Sequence, residues 1–316
     1  MDAFNEKGAY LGTGLISEKS KIRLRLLSSN FNDRYDEAFF RRRIQYAVDY
    51  RKTVMGEADF ACCRLIFGEA DGMPGLTVDR YGDILATQVL SIGMERIKGL
   101  LYRLLIEVLR DSGVSVAGIF ERNDVAIREL EGMTQQKGWY TEGGMPHPKS
   151  AVTQIEENGI LYSVDVENGQ KTGFFLDQKY NRLAAAKIAR GKRVLDCFTH
   201  TGSFALNAVR GGAAHVTAVD VSASAVEMAR GNAALNGMTD RMDFLTADVF
   251  DLLPKMQEEH AGYDMIILDP PAFTKSRKTL HSAERGYKEI NYRAMKLLSR
   301  GGYLATCSCS HFMESE

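Results

Sequence analysis

An α/β fold with a parallel, doubly wound sheet is predicted for the second half of this 316-residue chain, and three observations predict it. From about Gly191 short apolar runs alternate with stretches of helical periodicity, so that five strands are separated by four helices. The first four of those runs close on an acid, at Asp196, Asp220, Asp248 and Asp269. The first turn, "DCFTHTGSF", contains Gly202 but no G-x-G-x-x-G fingerprint.

Composition sets the outer bounds. With 45% hydrophobic and 26% charged residues the chain reads as globular, and its length suggests two domains or more. A net charge of -1 excludes a global basic field. The charge is uneven, however: ten basic residues face four acidic ones between Lys19 and Lys52. That segment reads either as an amphipathic helix with a solvated basic face or as a local phosphate-attracting surface. Five cysteines, at 62, 63, 197, 307 and 309, form no regular framework and point to free thiols in a reducing compartment. No apolar run reaches the roughly 18 residues of a membrane span, and the start lacks a signal-peptide pattern. No membrane partner and a cytoplasmic location are expected.

"GAYLGTGLIS" and "SKIRLRLLS" read as short strands, the second with Ile22, Leu24 and Leu26 inward and Lys21, Arg23 and Arg25 outward. Phe31 to Met55 reads as helix. "GLTVDRYGDILATQVLS" reads as a hairpin turning near Tyr81-Gly82-Asp83, and Ile97 to Leu109 as a second helix. "EGGMPHPKS", with two prolines and two glycines, is the best linker candidate. "VTQIEENGILYSVDV" places Asn-Gly between alternating runs, a strong hairpin signal. The parallel alternation then runs from "RVLDCF" to "GGYLATCSCS", its last helix spanning about Glu284 to Leu298.

In an open α/β sheet, ligands bind beyond the carboxyl ends of the strands. One aspartate there is often only a helix cap; four in register point to a cationic or donor-rich ligand. Asp220 stands where an acid takes ribose hydroxyls, yet no glycine fingerprint cradles a pyrophosphate. S-adenosylmethionine, with a ribose, a sulfonium and an ammonium group, fits both facts, and a nicotinamide cofactor fits poorly. "LDPPAF" leaves the fourth strand through two prolines that fix the backbone, so Asp269 suits the gripping of a planar base. Phe174 and Phe175 precede Asp177 and Gln178 in "KTGFFLDQKYNR"; adjacent aromatics alone more often signal core. His200 reads as a loop residue. A Cys307-Cys309-His311 metal site would need a fourth ligand that is not evident.

The segments "TGFFLDQ", "VLDCFTHTGSFA", "VDVSASAVEMARGNAALN", "ILDPPAF", "GYKEIN" and "TCSCS" resemble class I methyltransferases, and most closely the bacterial 23S ribosomal RNA cytosine-C5 methyltransferases. "CRLIFGEADGMPGLTVDRYGD" resembles that family's central domain. "GAYLGTGLISEKSKIRLRLLS" resembles the second half of its RNA-binding PUA domain. The resemblance implies a partial PUA-like module at 1–30, a central α+β domain at 31–150, and a Rossmann-like class I methyltransferase domain at 151–316. Because the family has a complete PUA domain before this start and two further strands after this end, it also implies a chain clipped at both ends. It implies S-adenosylmethionine as cofactor, held by Phe174, Asp177, Gln178, Asp196, Phe198, Thr199, Gly202, Asp220, Val221, Ser222, Asn232, Asp248, Val249 and Asp269. Ribosomal RNA is the implied partner, and a homodimer is left open.

The resemblance also gives the two thiols at the end of the chain a chemistry. Cytosine C5 is too weak a nucleophile to attack a sulfonium unaided. A thiolate adding to C6 raises the electron density at C5. The Ser-Cys-Ser triplet places that nucleophile on Cys309, with Asp269 taking the base edge; Cys307 is an extra thiol. The rivals are a methyltransferase acting on an exocyclic nitrogen and a noncatalytic RNA-binding module. Nitrogen-directed enzymes commonly carry an aromatic directly after the two prolines, where this chain has Ala272.

Overall fold

The computed structural model describes residues 1–274 and 279–310. It comprises two compact units, Met1–Glu157 with Ser163–Leu176, and Asn158–Tyr162 with the chain from Asp177 onward.

The first unit opens with an antiparallel sheet of β1 (Asp2–Phe4), β2 (Tyr10–Ile16) and β3 (Leu24–Ser28). Lys21 and Arg23 face outward as expected, but the expected inward set does not hold through β3. Leu27 is 6% exposed, whereas Leu26 is 46% and Ile22, just before the strand, 53%. The pairing with β2 shifts there: Thr13 lies opposite Ser28 and Gly14 opposite Leu26, so Leu27 is the extra residue of a bulge, while Arg25 pairs with Glu69 at 3.0 Å and Glu131 at 3.4 Å.

Helix α1 runs Glu37–Val54, shorter than expected, because the Asp36 side chain accepts from the Phe39 N–H at 3.0 Å and starts the helix there. It buries Phe39, Phe40, Ile44, Ala47 and Val48. A short α2 (Glu57–Phe60) follows, then β4 (Cys62–Phe67), the hairpin β5 (Leu76–Tyr81) and β6 (Ile84–Val89), α3 (Ile92–Asp111), β7 (Gly118–Asn123), α4 (Ile127–Leu130) and β8 (Gln136–Trp139). The sheet order is β4-β5-β6-β7-β8, antiparallel except for β6 and β7, whose parallel pairing uses α3 as crossover. A hairpin of β9 (Val152–Glu157) and β10 (Ile160–Asp165) turns on Asn158 and Gly159, both with positive φ, at 55° and 72°.

A buried polar chain ties the strand β5 to residues 172–174. Arg64 grips Asp79 through two hydrogen bonds of 2.7 and 2.9 Å. Thr172 donates to Asp79 at 2.5 Å, and the Tyr81 hydroxyl lies 2.9 Å from Thr172 Oγ1. That hydroxyl accepts from the Phe174 N–H at 3.1 Å and lies 3.2 Å from the Phe174 carbonyl.

The second unit is the predicted doubly wound sheet. It contains α5 (Lys179–Ile188), β11 (Arg193–Cys197), α6 (Ser203–Arg210), β12 (His215–Asp220), α7 (Ala223–Leu235), β13 (Met242–Thr246), α8 (Val249–Glu258), β14 (Tyr263–Leu268), α9 (Leu280–Leu297) and β15 (Leu298–Thr306). All pairings are parallel, in the order β13-β12-β11-β14-β15. The central strands are buried on both faces, as a parallel sheet requires; Val194, Leu195, Val216, Val219, Ile266 and Leu268 are all fully buried. On one face Leu195, Val219, Leu253, Ile266, Ile290 and Ala294 form a single core.

Candidate active site

β11 and β12 run parallel in register, with Asp196 opposite Ala218, so their carboxyl ends open onto one edge. Asp196 is 1% exposed. Its Oδ2 accepts from the Thr199 hydroxyl at 2.6 Å and the Ala205 N–H at 2.9 Å. Its Oδ1 is buried with no hydrogen-bond partner among the described residues. Burial above all, with the neighbouring charges of Asp269 and Asp220, pushes this carboxyl up to about 7.

The turn after β11 is tightly wound. Phe198 and His200 have positive φ, 64° and 50°, as does Gly202 at 79°. At Gly202 glycine is required: a Cβ would stand 2.9 Å from the Cβ of Ala229. Asp220 holds this turn from the next strand. Its Oδ2 accepts from the His200 N–H at 2.9 Å and its Oδ1 from the Ser222 N–H at 3.0 Å. Ser222 in turn caps α7, accepting from Ala225 at 3.3 Å, while Val221 is 68% exposed at the edge. Buried Asn232 donates to the Thr201 carbonyl at 3.0 Å and so fastens α7 to the turn.

Asp248 does not end a strand. β13 stops at Thr246, and Asp248 lies two residues on, where it caps α8 by accepting from the Phe250 N–H at 2.8 Å. Val249 behind it is 2% exposed. Asp269 stands one residue beyond β14, and the Gln178 amide donates to it at 3.3 Å. Asp177, beside Gln178, is exposed. Phe174 belongs to the first unit, is 2% exposed and is held by Tyr81.

The two thiols follow β15, which ends at Thr306, so they do not alternate as strand residues. Cys307 is half-buried. Its N–H continues the pairing with β14 by donating to the Leu268 carbonyl at 2.8 Å. Burial first, then the nearby charge of Asp269, pushes its thiol up to about 11. Cys309 is exposed, its thiol 3.5 Å from the Pro270 carbonyl. His311 lies outside the described residues. Sequence reasoning missed that Cys307 follows β15 beside the Leu268-Asp269 end of β14, since only the register of the two strands brings them together.

A cleft of about 420 Å³ opens at the opposite, amino-terminal ends of the strands, with Arg193, His215, Met242 and Tyr263 in its lining. It is remote from the acids and plays no part in the site they form.

Residues 144–313 match the family model described as S-adenosylmethionine-dependent methyltransferase. The ribosomal RNA large subunit methyltransferase I of Shewanella denitrificans is 43% identical over all of this chain and 78% of its own length. The protein of that name from Klebsiella pneumoniae is 39% identical over all of this chain and 77% of its own. The chain belongs to the ribosomal RNA large subunit methyltransferase I family. It is a methyltransferase dependent on S-adenosylmethionine. Among solved structures, a methyltransferase complexed with SAH superposes with a TM-score of 0.81 at 24% identity, over 99% of this chain and 78% of the other. A protein described as a SAM-dependent methyltransferase from Streptococcus mutans gives 0.79, also at 24%. At that identity both speak for the fold of this methyltransferase. The acidic edge suits its cofactor: a buried carboxylate oxygen without a partner, beside two further acids, is matched by a ligand carrying positive charge.

Proposed function

We propose that this methyltransferase methylates C5 of a cytosine in large-subunit ribosomal RNA, through a covalent adduct on Cys309. The names of the relatives support the RNA substrate. The observation that carries the chemistry is the placing of an exposed thiol, Cys309, against the Asp269-Pro270 turn.

Asp196, Gly202 and Asp220 hold the cofactor at the strand ends, with Phe198, Thr199, Val221, Ser222 and Asn232 shaping the pocket and Asp177, Gln178, Asp248 and Val249 bordering it. Phe174 supports the segment leading to Asp177. When bound, S-adenosylmethionine supplies an electrophilic methyl group.

Asp269 accepts hydrogen bonds from the donor edge of the target base and holds its plane. The Cys309 thiolate adds to C6, forming an S–C6 bond and moving the C5=C6 electron pair onto C5. C5 takes the methyl group. A base then removes the C5 proton, the pair returns to C5=C6, and the S–C6 bond breaks to release the thiolate. The thiolate must be accessible, as exposed Cys309 is. The target base must leave any stack to reach it.

The test is mass mapping of methylated nucleotides in 23S rRNA together with a trap. RNA carrying 5-fluorocytosine at the target has no C5 proton to lose, so it should stay bound to the wild-type protein and not to Cys309→Ala. Normal methylation by Cys309→Ala would overturn the covalent route and favour a nitrogen target.

A further inference from the structure

We infer that the cleft between β3, α1 and the turn of residues 68–72 takes an unstacked nucleotide of the RNA substrate, its base on the Tyr46 ring and its phosphate on the Arg43 guanidinium. The RNA rests on the proposed function; the cleft, its bare ring and its uncompensated charge do not.

The cleft holds about 530 Å³, within the roughly 300–1,000 Å³ of small-ligand sites. Its whole lining belongs to the first unit. Charge decides what it can hold. Most arginines of β3 and α1 are paired within the fold. Arg25 meets Glu69 and Glu131, Arg41 meets Glu107 and Asp111, Arg42 lies 3.5 Å from Asp33, and Arg51 grips Asp71. Glu69 and Asp71, the two carboxylates in the lining, are thereby neutralised.

Arg43 is the exception. It is half-buried, and no carboxylate among the described residues pairs with it. Its Nη2 donates to the Leu27 carbonyl at 3.4 Å, and its guanidinium lies 5.1 Å from the centre of the Phe39 ring. Gly72, with φ at 67°, leaves it room: a Cβ there would stand 3.0 Å from the Arg43 Nη1. A partly desolvated cation without a counter-charge is costly, and the planar donors of a guanidinium suit a phosphate.

The second observation is an aromatic ring with nothing on it. Tyr46 follows Arg43 by three residues and so shares its face of α1. It is 60% exposed, and among the described residues no other ring or guanidinium stacks on it. Tyr50, equally exposed, has the Arg51 guanidinium 5.4 Å from its ring centre. Leu26 of β3, 46% exposed, adds an aliphatic wall to the same cleft. A bare ring beside a phosphate-seeking cation is the pairing by which proteins hold single-stranded nucleic acid. One nucleotide supplies both the flat base and the phosphate, joined by its ribose.

The test is filter binding of a 23S rRNA fragment by the whole chain across a salt series. Arg43→Gln should weaken binding and lower the salt slope by about 0.7–0.9, the share of one phosphate contact, whereas Arg43→Lys should keep the slope. Tyr46→Ala should weaken binding about fivefold to a hundredfold at an unchanged slope, and Tyr46→Phe should match the wild type. Melting temperature and SAH affinity should not move in Tyr46→Ala, which separates a lost contact from a lost fold. An unchanged slope in Arg43→Gln overturns the phosphate contact. Wild-type affinity in Tyr46→Ala overturns the base site. Free AMP or CMP that binds as tightly as the RNA and displaces it would make this a mononucleotide site and overturn the RNA assignment. Should the variants behave as expected while mapping finds a methylated nitrogen, the proposed function falls and the cleft stands. Should Tyr46→Ala bind normally while Cys309 still forms the trapped adduct, the cleft alone falls.

Discussion

At the scale of single residues the site is a contest between burial and charge. Asp196 sits in the core with one oxygen that has no partner among the described residues, and its carboxyl is pushed up to about 7. The sign of the consequence is fixed. The folded chain keeps a proton on Asp196 that the unfolded chain releases near pH 4. This group therefore favours folding in acid, and that contribution is lost as pH rises from about 4 through 7. Without cofactor, Asp196→Asn should flatten the fall in melting temperature across that window. A cationic cofactor at the same carboxylate should bind with proton release at pH 6 in the wild type and with none in the variant. Calorimetry in buffers of different ionisation enthalpy measures this. Asp220 works differently, since both its oxygens already organise backbone N–H groups of the turn. Asp220→Ala should weaken S-adenosylmethionine binding by about 1.5–3 kcal/mol, and calorimetry showing unchanged affinity would remove Asp220 from the site.

At the scale of elements, close approach decides what a position tolerates. Gly93, in the first turn of α3, meets Leu15 of β2 so tightly that a Cβ there would lie 2.4 Å from the Leu15 Cβ. Alanine is the better helix former by about 1 kcal/mol. Even so, Gly93→Ala should destabilise the chain by about 1–3 kcal/mol in denaturant unfolding, since overpacking outweighs propensity. The segment 172–174 depends on a neighbouring strand in a similar way. Tyr81→Phe removes the hydroxyl that engages both the N–H and the carbonyl of Phe174, at a fully buried position. A loss of about 1–3 kcal/mol of stability is expected from the buried polar groups left unpaired. If Phe174 supports the entry to Asp177 and Gln178, SAH affinity should fall as well.

For the molecule as a whole, a net charge of -1 conceals basic residues with two fates. Arg41 pairs with Glu107 and Asp111, Arg51 grips Asp71 at 2.5 and 2.7 Å, and Arg25 turns inward. These serve the fold through ion pairs, where the amphipathic-helix reading expected a solvated basic face. Lys19, Lys21 and Arg23 are exposed between β2 and β3. Replacing these three with glutamine should weaken RNA binding and shallow its salt dependence, each lost phosphate contact reducing the slope by about 0.7–0.9. Arg51→Ala should instead cost stability and leave that slope unchanged. Filter binding across a salt series, beside thermal melts, separates the two fates. Among the described residues no helix is long and apolar enough to cross a membrane.

Local pattern specifies the α/β class, the five parallel strands, the Asn-Gly hairpin and the β5–β6 turn. Those features rest on local periodicity and turn chemistry, which a linear pattern carries in full. It also placed Asp196, Asp220 and Asp269 at the carboxyl ends of strands, because parallel topology brings such ends together. Tertiary structure decided the rest. It bulged β3 at Leu27 against β2, made Asp248 a helix cap two residues past its strand, and carried both thiols beyond β15. It also put Cys307 beside Asp269 and Cys309 against Pro270. Each of these outcomes depends on a partner elsewhere in the chain or on where a ladder of hydrogen bonds stops. Hydrophobic spacing records which residues want burial; the charge, donor or register that a distant segment brings to them exists only once the chain has folded.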